Sequence, residues 1–161
     1  FNVVEKPNDW AKTMKSIEGM SETEKLKVEF WQTFNDQMAA NPDFGKYFNL
    51  RKPQLQHWYD LSCGTSSYYI SLNINTQKKK IDAGLYIPAD KDLFHKFETR
   101  KEAFDKAFGE EVEFRDAGKS SRILIAHNID VKNRSKWPEA AAWFFEKAKL
   151  FKQTAASLNI E

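Results

Sequence analysis

Apolar residues recur along this chain with two different periods, and the changes of period divide it into helices and strands. After Ser21, apolar side chains are spaced by three and four residues up to Asn41-Pro42, which is the period of one helix face. These side chains are Leu26, Phe30, Trp31, Phe34 and Met38. Ser21 and Glu24 form a capping-box pattern, so we predict that a first helix begins there.

The period then changes to two. The pattern predicts a short strand from Trp58 to Cys63, a turn over residues 64–67 and then a hairpin. The inward side chains are expected to be Tyr68, Ile70, Leu72, Ile74, Ile81, Ala83, Leu85 and Ile87, and the outward row of the first strand Tyr69, Ser71, Asn73 and Asn75. A turn over residues 76–79 pairs Tyr69 with Tyr86 and Asn73 with Asp82. A slip of one residue would bury the polar row, so this register should be well determined.

Two further helices and a second hairpin follow. Asp90 is expected to cap one continuous helix that ends at Gly109, with an apolar stripe of Leu93, Phe94, Phe97, Phe104 and Phe108. Residues 111–115 and 122–126, joined around Gly118, are typical of a hairpin. Ser135 and Pro138 are expected to begin a long final helix with Trp137, Ala141, Phe144, Ala148, Phe151, Ala155 and Leu158 on its apolar side.

This order of elements predicts an α+β fold. Tight turns between consecutive strands require an antiparallel or mixed sheet, here of four or five strands, with three main helices packed mostly on one face. A chain of 161 residues is expected to form one core, so residues 21–161 are predicted to be a single domain. Residues 1–20 are interpreted as a lead-in anchored by Trp10, and the start at Phe1 suggests a linker from an upstream domain.

Composition narrows the function classes. No apolar run approaches the roughly 18 residues of a membrane span, and no secretion signal precedes the domain, so we expect a cytoplasmic protein without membrane contact. The formal net charge of +2 is too small for bulk charge to drive nucleic-acid binding, which would need a local patch. The single cysteine, Cys63, and the scattered histidines predict no disulfide, structural metal or cofactor.

Two patterns invite a catalytic interpretation. Cys63 with His57 and Asp60 could form a nucleophile site, but in a strand His57 and Cys63 would lie about 20 Å apart with Asp60 on the other face. Cys63 is therefore interpreted as a small buried residue. Asp130-Val131-Lys132 matches the last part of a nuclease metal motif, but it follows the last strand without an acidic partner beside it. We expect no catalytic site in this chain.

The outward row is the more informative candidate. Phenols and amides on an open sheet face can stack on unpaired bases and bond to them, and flanking cations can meet phosphates. The candidate nucleic-acid-binding residues are Arg51, Lys52, Tyr69, Asn73, Asn75, Lys79, Tyr86 and Arg122. The alternatives are polar cover, lysines that keep a hairpin tip soluble, and a protein interface. A dimer seam on the heptad-spaced final helix is a further alternative, although packing on the sheet is favoured.

Several short motifs together resemble a prokaryotic domain family of unknown function. They include Leu50-Arg51-Lys52-Pro53, His57-Trp58-Tyr59-Asp60, residues 70–78, Leu85-Tyr86-Ile87, Phe108-Gly109, Ser121-Arg122-Ile123 and Trp137-Pro138-Glu139. The resemblance spans residues 21–158. It implies a parent protein in which a PD-(D/E)XK nuclease-like domain precedes this one, in DNA processing or defence, but it supplies no catalytic residues to transfer.

The leading hypothesis is therefore a non-catalytic accessory domain that contacts DNA or RNA through this sheet face. A protein-interaction or dimerisation module is the alternative, and an enzyme in its own right is the third hypothesis.

Overall fold

The computed structural model describes residues 20–158 of the chain. The helices are α1 (Glu22–Ala39), α2 (Phe44–Tyr47), α3 (Lys91–Glu98), α4 (Lys101–Phe108) and α5 (Trp137–Leu158), and a 3-10 turn (Arg134–Lys136) precedes α5. The strands are β1 (Trp58–Ser62), β2 (Tyr69–Asn75), β3 (Lys80–Ile87), β4 (Glu113–Ala117) and β5 (Ser120–Asn128). The lead-in predicted for residues 1–20, with Trp10, lies outside the described residues except for its last position.

The predicted α+β class is confirmed. The five strands form one sheet in the order β1-β2-β3-β5-β4, and every neighbouring pair is antiparallel. Helix α5 packs on β2 and β3, α1 packs on α5, and α3 packs on β3 and β5. The apolar face of the sheet is thus covered by helices, and we call the opposite face, which carries the predicted polar row, the outer face.

The predicted register of the first hairpin is also confirmed. Ile74 lies opposite Ile81, Tyr69 opposite Tyr86 and Asn73 opposite Asp82, and the turn spans residues 76–79. The inward side chains of both strands are buried in the core. Apolar alternation fixed this register because a shift by one residue would have put amides under the helices.

Helix α1 begins as its capping box predicts. The Glu24 backbone N–H donates to Ser21 Oγ at 3.2 Å, and the Ser21 N–H donates to Glu24 Oε1 at 3.0 Å. The apolar side of the helix enters an aromatic core, in which Trp31 is fully buried, with ring centroids 5.2 Å from Tyr59 and 5.8 Å from Phe144. Edge-on and tilted ring pairs of this kind join α1 to the sheet and to α5.

The prediction of one continuous helix from Asp90 to Gly109 is wrong. Asp90 does cap a helix, and Gly109 ends a helix in the left-handed conformation (φ 69°). The helix is interrupted between them, however, and forms two shorter helices, α3 and α4. The Thr99 hydroxyl donates to the Lys96 carbonyl at 2.6 Å, and Arg100 leaves helical geometry. The break lets both short helices turn apolar side chains into the same core, where the rings of Phe97 and Phe104 lie 5.9 Å apart.

The second hairpin and the final helix occur where they are predicted, with shifted bounds. The strands β4 and β5 meet at a turn of Gly118-Lys119 rather than across a longer loop, and Gly118 has φ 62°. Asn133 caps the 3-10 turn before α5, its Oδ1 accepting from the Ser135 N–H at 3.2 Å, so Ser135 lies in that turn and α5 itself begins at Trp137. No helix within residues 20–158 has both the length and the apolar character that a membrane crossing requires.

Candidate functional site

A hollow of about 370 Å³ lies on the outer face, and we call it the central hollow. Its lining residues come from four adjacent strands: Trp58, Asp60, Tyr69, Ser71, Asn73, Tyr86 and Arg122. Strand pairing explains why they meet, because Trp58 lies opposite Asn73, Asp60 opposite Ser71 and Tyr86 opposite Arg122. The volume falls within the range of about 300–1,000 Å³ that is usual for ligand pockets.

The hollow exists because small residues interrupt a row of large ones. Ser71 and Gly84 face each other across β2 and β3, and the next rows on this face carry larger side chains, Tyr69 with Tyr86 and Asn73 with Asp82. A Cβ built at Gly84 would lie 2.2 Å from the Ile123 carbonyl oxygen and 2.8 Å from Cα of Leu124. The strands β3 and β5 therefore approach too closely for a side chain at position 84. Because no side chain projects from this position, a depression remains in the middle of the outer face.

Aromatic rings border the hollow. The rings of Tyr69 and Tyr86 lie 5.2 Å apart at an angle of 41°, and Trp58 is 43% exposed. Burial raises the pKa of Tyr69 to about 12, and the negative charge of Asp60 and the nearby Tyr86 act in the same direction. Tyr69 is thus a neutral ring at physiological pH, Tyr86 packs beside it, and Trp58 adds an exposed indole.

A polar network borders the hollow beside Gly84. Arg122 Nη2 donates to Asp82 Oδ1 at 2.6 Å, and Asn73 Nδ2 donates to the same oxygen at 3.0 Å. Asn73 Nδ2 also lies 3.3 Å from Ser71 Oγ. The side chains of Arg122 and Asp82 are only 18% and 21% exposed, so their ion pair is better shielded from water than a surface pair. Arg122 is therefore held in place across the sheet.

Asp60 places a carboxyl group in the hollow. Burial raises the pKa of this carboxyl, while the Arg51 charge and a hydrogen bond from Ser71 oppose the rise. Asp60 lies on β1, beside Trp58 on the outer face, and its side chain is half-buried. It is the group in the hollow that offers two acceptor oxygens on one side chain.

Two of the predicted cationic residues lie next to the central hollow. The exposed residues Arg51 and Lys52 line a smaller hollow of about 40 Å³ that shares Trp58 and Asp60 with the central one. The backbone here is fixed by a closed set of hydrogen bonds. The Arg51 N–H donates to the Tyr59 hydroxyl, the hydroxyl donates to Asn35 Oδ1 at 2.7 Å, and Asn35 Nδ2 donates to the Arg51 carbonyl at 2.7 Å.

The structure separates the remaining candidates from this group. Asn75 Oδ1 accepts from the Lys78 N–H at 2.9 Å, so its amide stabilises the hairpin turn. Lys79 is exposed at that turn with φ 54°, and its carbonyl accepts from the Ile129 N–H at 3.0 Å. Six residues of strand, or roughly 20 Å, separate position 75 from position 69. Tyr69, Asn73, Tyr86 and Arg122 are thus brought together, Arg51 and Lys52 lie beside them, and Asn75 and Lys79 do not.

Sequence reasoning did not include Trp58 and Asp60 among the site residues. The available signal was their alternation in β1 with Tyr59 and Leu61, which are buried.

The motif from Asp130 to Lys132 forms a turn after β5, in which Asp130 Oδ1 accepts from the Lys132 N–H at 3.0 Å. Within residues 20–158, no group of three or more His, Cys, Asp or Glu side chains has the arrangement to hold a metal ion.

Comparison with known proteins assigns the chain to a family without assigning an activity. A family model described as a domain of unknown function, DUF4268, matches residues 26–159, which is most of the chain and almost all of the described fold. No curated protein matches the chain. No solved structure matches it either.

Proposed function

This chain belongs to the family of the domain of unknown function DUF4268, and we propose that it is a non-catalytic accessory domain that binds unpaired DNA or RNA on its outer face. The grouping of Tyr69, Tyr86 and Trp58 around one hollow carries this proposal. Unpaired bases bind to sheet faces by stacking on such rings, and an aromatic stack is tolerant of sequence. The parent protein would be nuclease-like, the context that the sequence resemblance implies.

The phosphate contacts are assigned to the margin rather than to the centre. Arg122 already holds an ion pair with Asp82, whereas Arg51 and Lys52 are exposed. They lie in the hollow that adjoins the central one through Trp58 and Asp60, so a nucleotide with its base over the tyrosines can have its phosphate near Arg51. Phosphate contacts of this kind set affinity and orientation without reading sequence.

Fluorescence anisotropy with labelled oligothymidine and oligouridine of about twelve nucleotides tests the proposal, because single-strand sites span about 4–16 nucleotides. Replacing Tyr69 and Tyr86 together by leucine keeps apolar bulk and removes both π-faces. Since stacking contributes about 1–3 kcal/mol per base, we expect at least about fivefold weaker binding. Affinity should also fall steeply as salt rises from about 50 to 200 mM.

A charge-matched pair of variants isolates the phosphate contacts. Reversing the charge of Arg51 and Lys52 with glutamate should reduce the salt slope, which is the slope of log affinity against log salt concentration, by about 1.4 in magnitude. Each phosphate contact on a single strand contributes about 0.7 to that slope. Reversing Lys96 and Lys106, which are exposed on the helices that cover the opposite face, changes net charge equally and should lower the slope far less. Binding that ignores salt, or that survives both the tyrosine and the Arg51/Lys52 changes, would refute the proposal.

A protein-interaction module is the second candidate. The observation that favours it is a set of large apolar side chains left exposed near β1: Leu50 at 43%, Leu55 at 40% and Trp58 at 43%. β1 is also an edge strand of the sheet that residues 20–158 form, and an edge strand is a position at which another strand can pair. Measurement of mass in solution discriminates, because a stable dimer that binds no oligonucleotide supports this candidate. The apolar side of α5 is less suitable as a dimer seam, because α5 packs on the sheet and on α1.

A further inference from the structure

Asp60 and Asn73 give the part of the central hollow beside β1 several acceptor atoms, next to one donor, the Trp58 indole N–H. Asp60 contributes a carboxylate at the boundary between the two hollows. Asn73 uses its Nδ2 for Asp82 and Ser71, so the other polar atom of its amide is an acceptor, Oδ1. The Ser71 hydroxyl bonds to Asp60, and Ser71 itself is almost completely buried. A ligand with two adjacent donors can therefore bind on the Asp60 side of the hollow, while the tyrosine hydroxyls and Arg122 supply donors on the other strands.

The nucleobases differ sharply in what they offer to a carboxylate. Guanine has two adjacent donors, N1–H and the N2 amino group, which match the two oxygens of one carboxylate. Adenine and cytosine each place a ring acceptor next to a single amino donor, and that acceptor would face the carboxylate. Thymine and uracil flank one ring N–H with two carbonyl oxygens. Charge-assisted bidentate pairing, which is strong and directional, is therefore possible only with guanine among the standard bases.

We propose that the central hollow selects guanine among unpaired bases, with Asp60 accepting from guanine N1–H and N2–H while the ring stacks on the aromatic border. This inference rests on the proposed function and specifies its ligand. The two tyrosines and Trp58 supply the sequence-tolerant part of the binding energy. Asp60 supplies the discrimination, and Arg51 and Lys52, which lie beside Asp60, would meet the phosphate of a neighbouring nucleotide in the strand.

The test compares thymidine strands of about twelve nucleotides that carry one central guanosine, inosine, adenosine or thymidine. Inosine differs from guanosine only by the missing N2 amino group, so it deletes one of the two proposed donors. The wild-type domain should bind the guanosine strand at least about fivefold more tightly than the inosine or thymidine strand, which corresponds to one bidentate base contact.

Two variants complete the test. Asp60→Asn keeps the size of the side chain but removes its charge and one acceptor, so the ratio of guanosine to inosine affinity should fall close to one while the all-thymidine strand still binds. Asp92→Asn removes the same charge from an exposed position on α3 and should leave the ratio unchanged. A variant D60N that still discriminates guanosine from inosine would overturn the inference.

The outcomes separate the two proposals. Equal binding of all four strands by the wild type would overturn guanine selection and leave single-strand binding intact. Failure of every strand to bind would overturn the proposed function and the inference with it. Guanosine monophosphate serves as a competitor, and complete displacement of the guanosine strand by an equal concentration of it would overturn the assignment of the guanine to a strand.

Discussion

Replacement of Gly84 by alanine tests the architecture of the site most simply. Gly84 lies in the middle of β3, and an added Cβ would meet the Ile123 carbonyl oxygen at 2.2 Å and the Leu124 Cα at 2.8 Å. Both obstructing atoms belong to backbone, so no side-chain rotation relieves the contact, and β3 must separate from β5. Overpacking in a close-packed region costs typically about 1–3 kcal/mol. We expect the upper end of that range, about 3 kcal/mol.

Urea denaturation followed by circular dichroism measures this loss, and the midpoint should fall while the denaturant slope stays unchanged. The matched control is Gly45→Ala. A Cβ at Gly45 meets nothing within 4 Å, and the residue lies in helix α2, where alanine is favoured over glycine by up to about 1 kcal/mol. Equal stability of the Gly84 variant and the wild type would refute the claim that close strand approach shapes the hollow.

Three further outcomes follow from the same structure. Ser21→Ala should lower the free energy of unfolding by about 1 kcal/mol, because it removes the cap of α1, and thermal denaturation will show it. Asp82→Asn should cost about 1–2 kcal/mol in urea denaturation, between exposed and fully buried pairs, because it leaves the Arg122 charge without its partner. Burial raises the pKa of Tyr59 and of Tyr69 to about 12, above about 10 for an unfolded tyrosine. Their contribution to stability is therefore complete below pH 10 and is lost between about pH 10 and 12, which denaturation across that range can measure.

The strand register and the start of α1 could be predicted from the sequence, because the first follows from alternating apolar and polar residues and the second from a capping box. The run from Tyr69 to Asn75 has only one register in which its amides avoid the core, and Ser21 with Glu24 marks a helix start from local contacts alone. The break at Thr99 was not predictable in the same way, because an apolar stripe continues through it. Tertiary packing of the phenylalanines, rather than local spacing, decides that the helix divides there.

The composition of the hollow depends on contacts that are distant in sequence. Arg122 meets Asp82 across 40 residues, and this requires that β3 pair with β5 rather than with β4. Trp58 and Asp60 join the site because β1 pairs beside β2 at the edge of the sheet. Hairpin spacing predicted that β2 pairs with β3 and β4 with β5, but nothing in the sequence indicated that β1 lies beside β2 or that β5 lies beside β3. The sequence therefore indicated the outer face and only part of its site.

Chemical-shift mapping on the ¹⁵N-labelled domain tests the central claim most directly, since it reports where a strand binds. Addition of a thymidine strand of about twelve nucleotides should shift the indole N–H of Trp58 and the amides of Tyr69 and Tyr86. The indole signals of Trp31 and Trp137, whose N–H groups donate to the Gln56 and Val131 carbonyls, should stay in place. Shifts confined to α3, α4 or α5, with the outer face unchanged, would contradict the account.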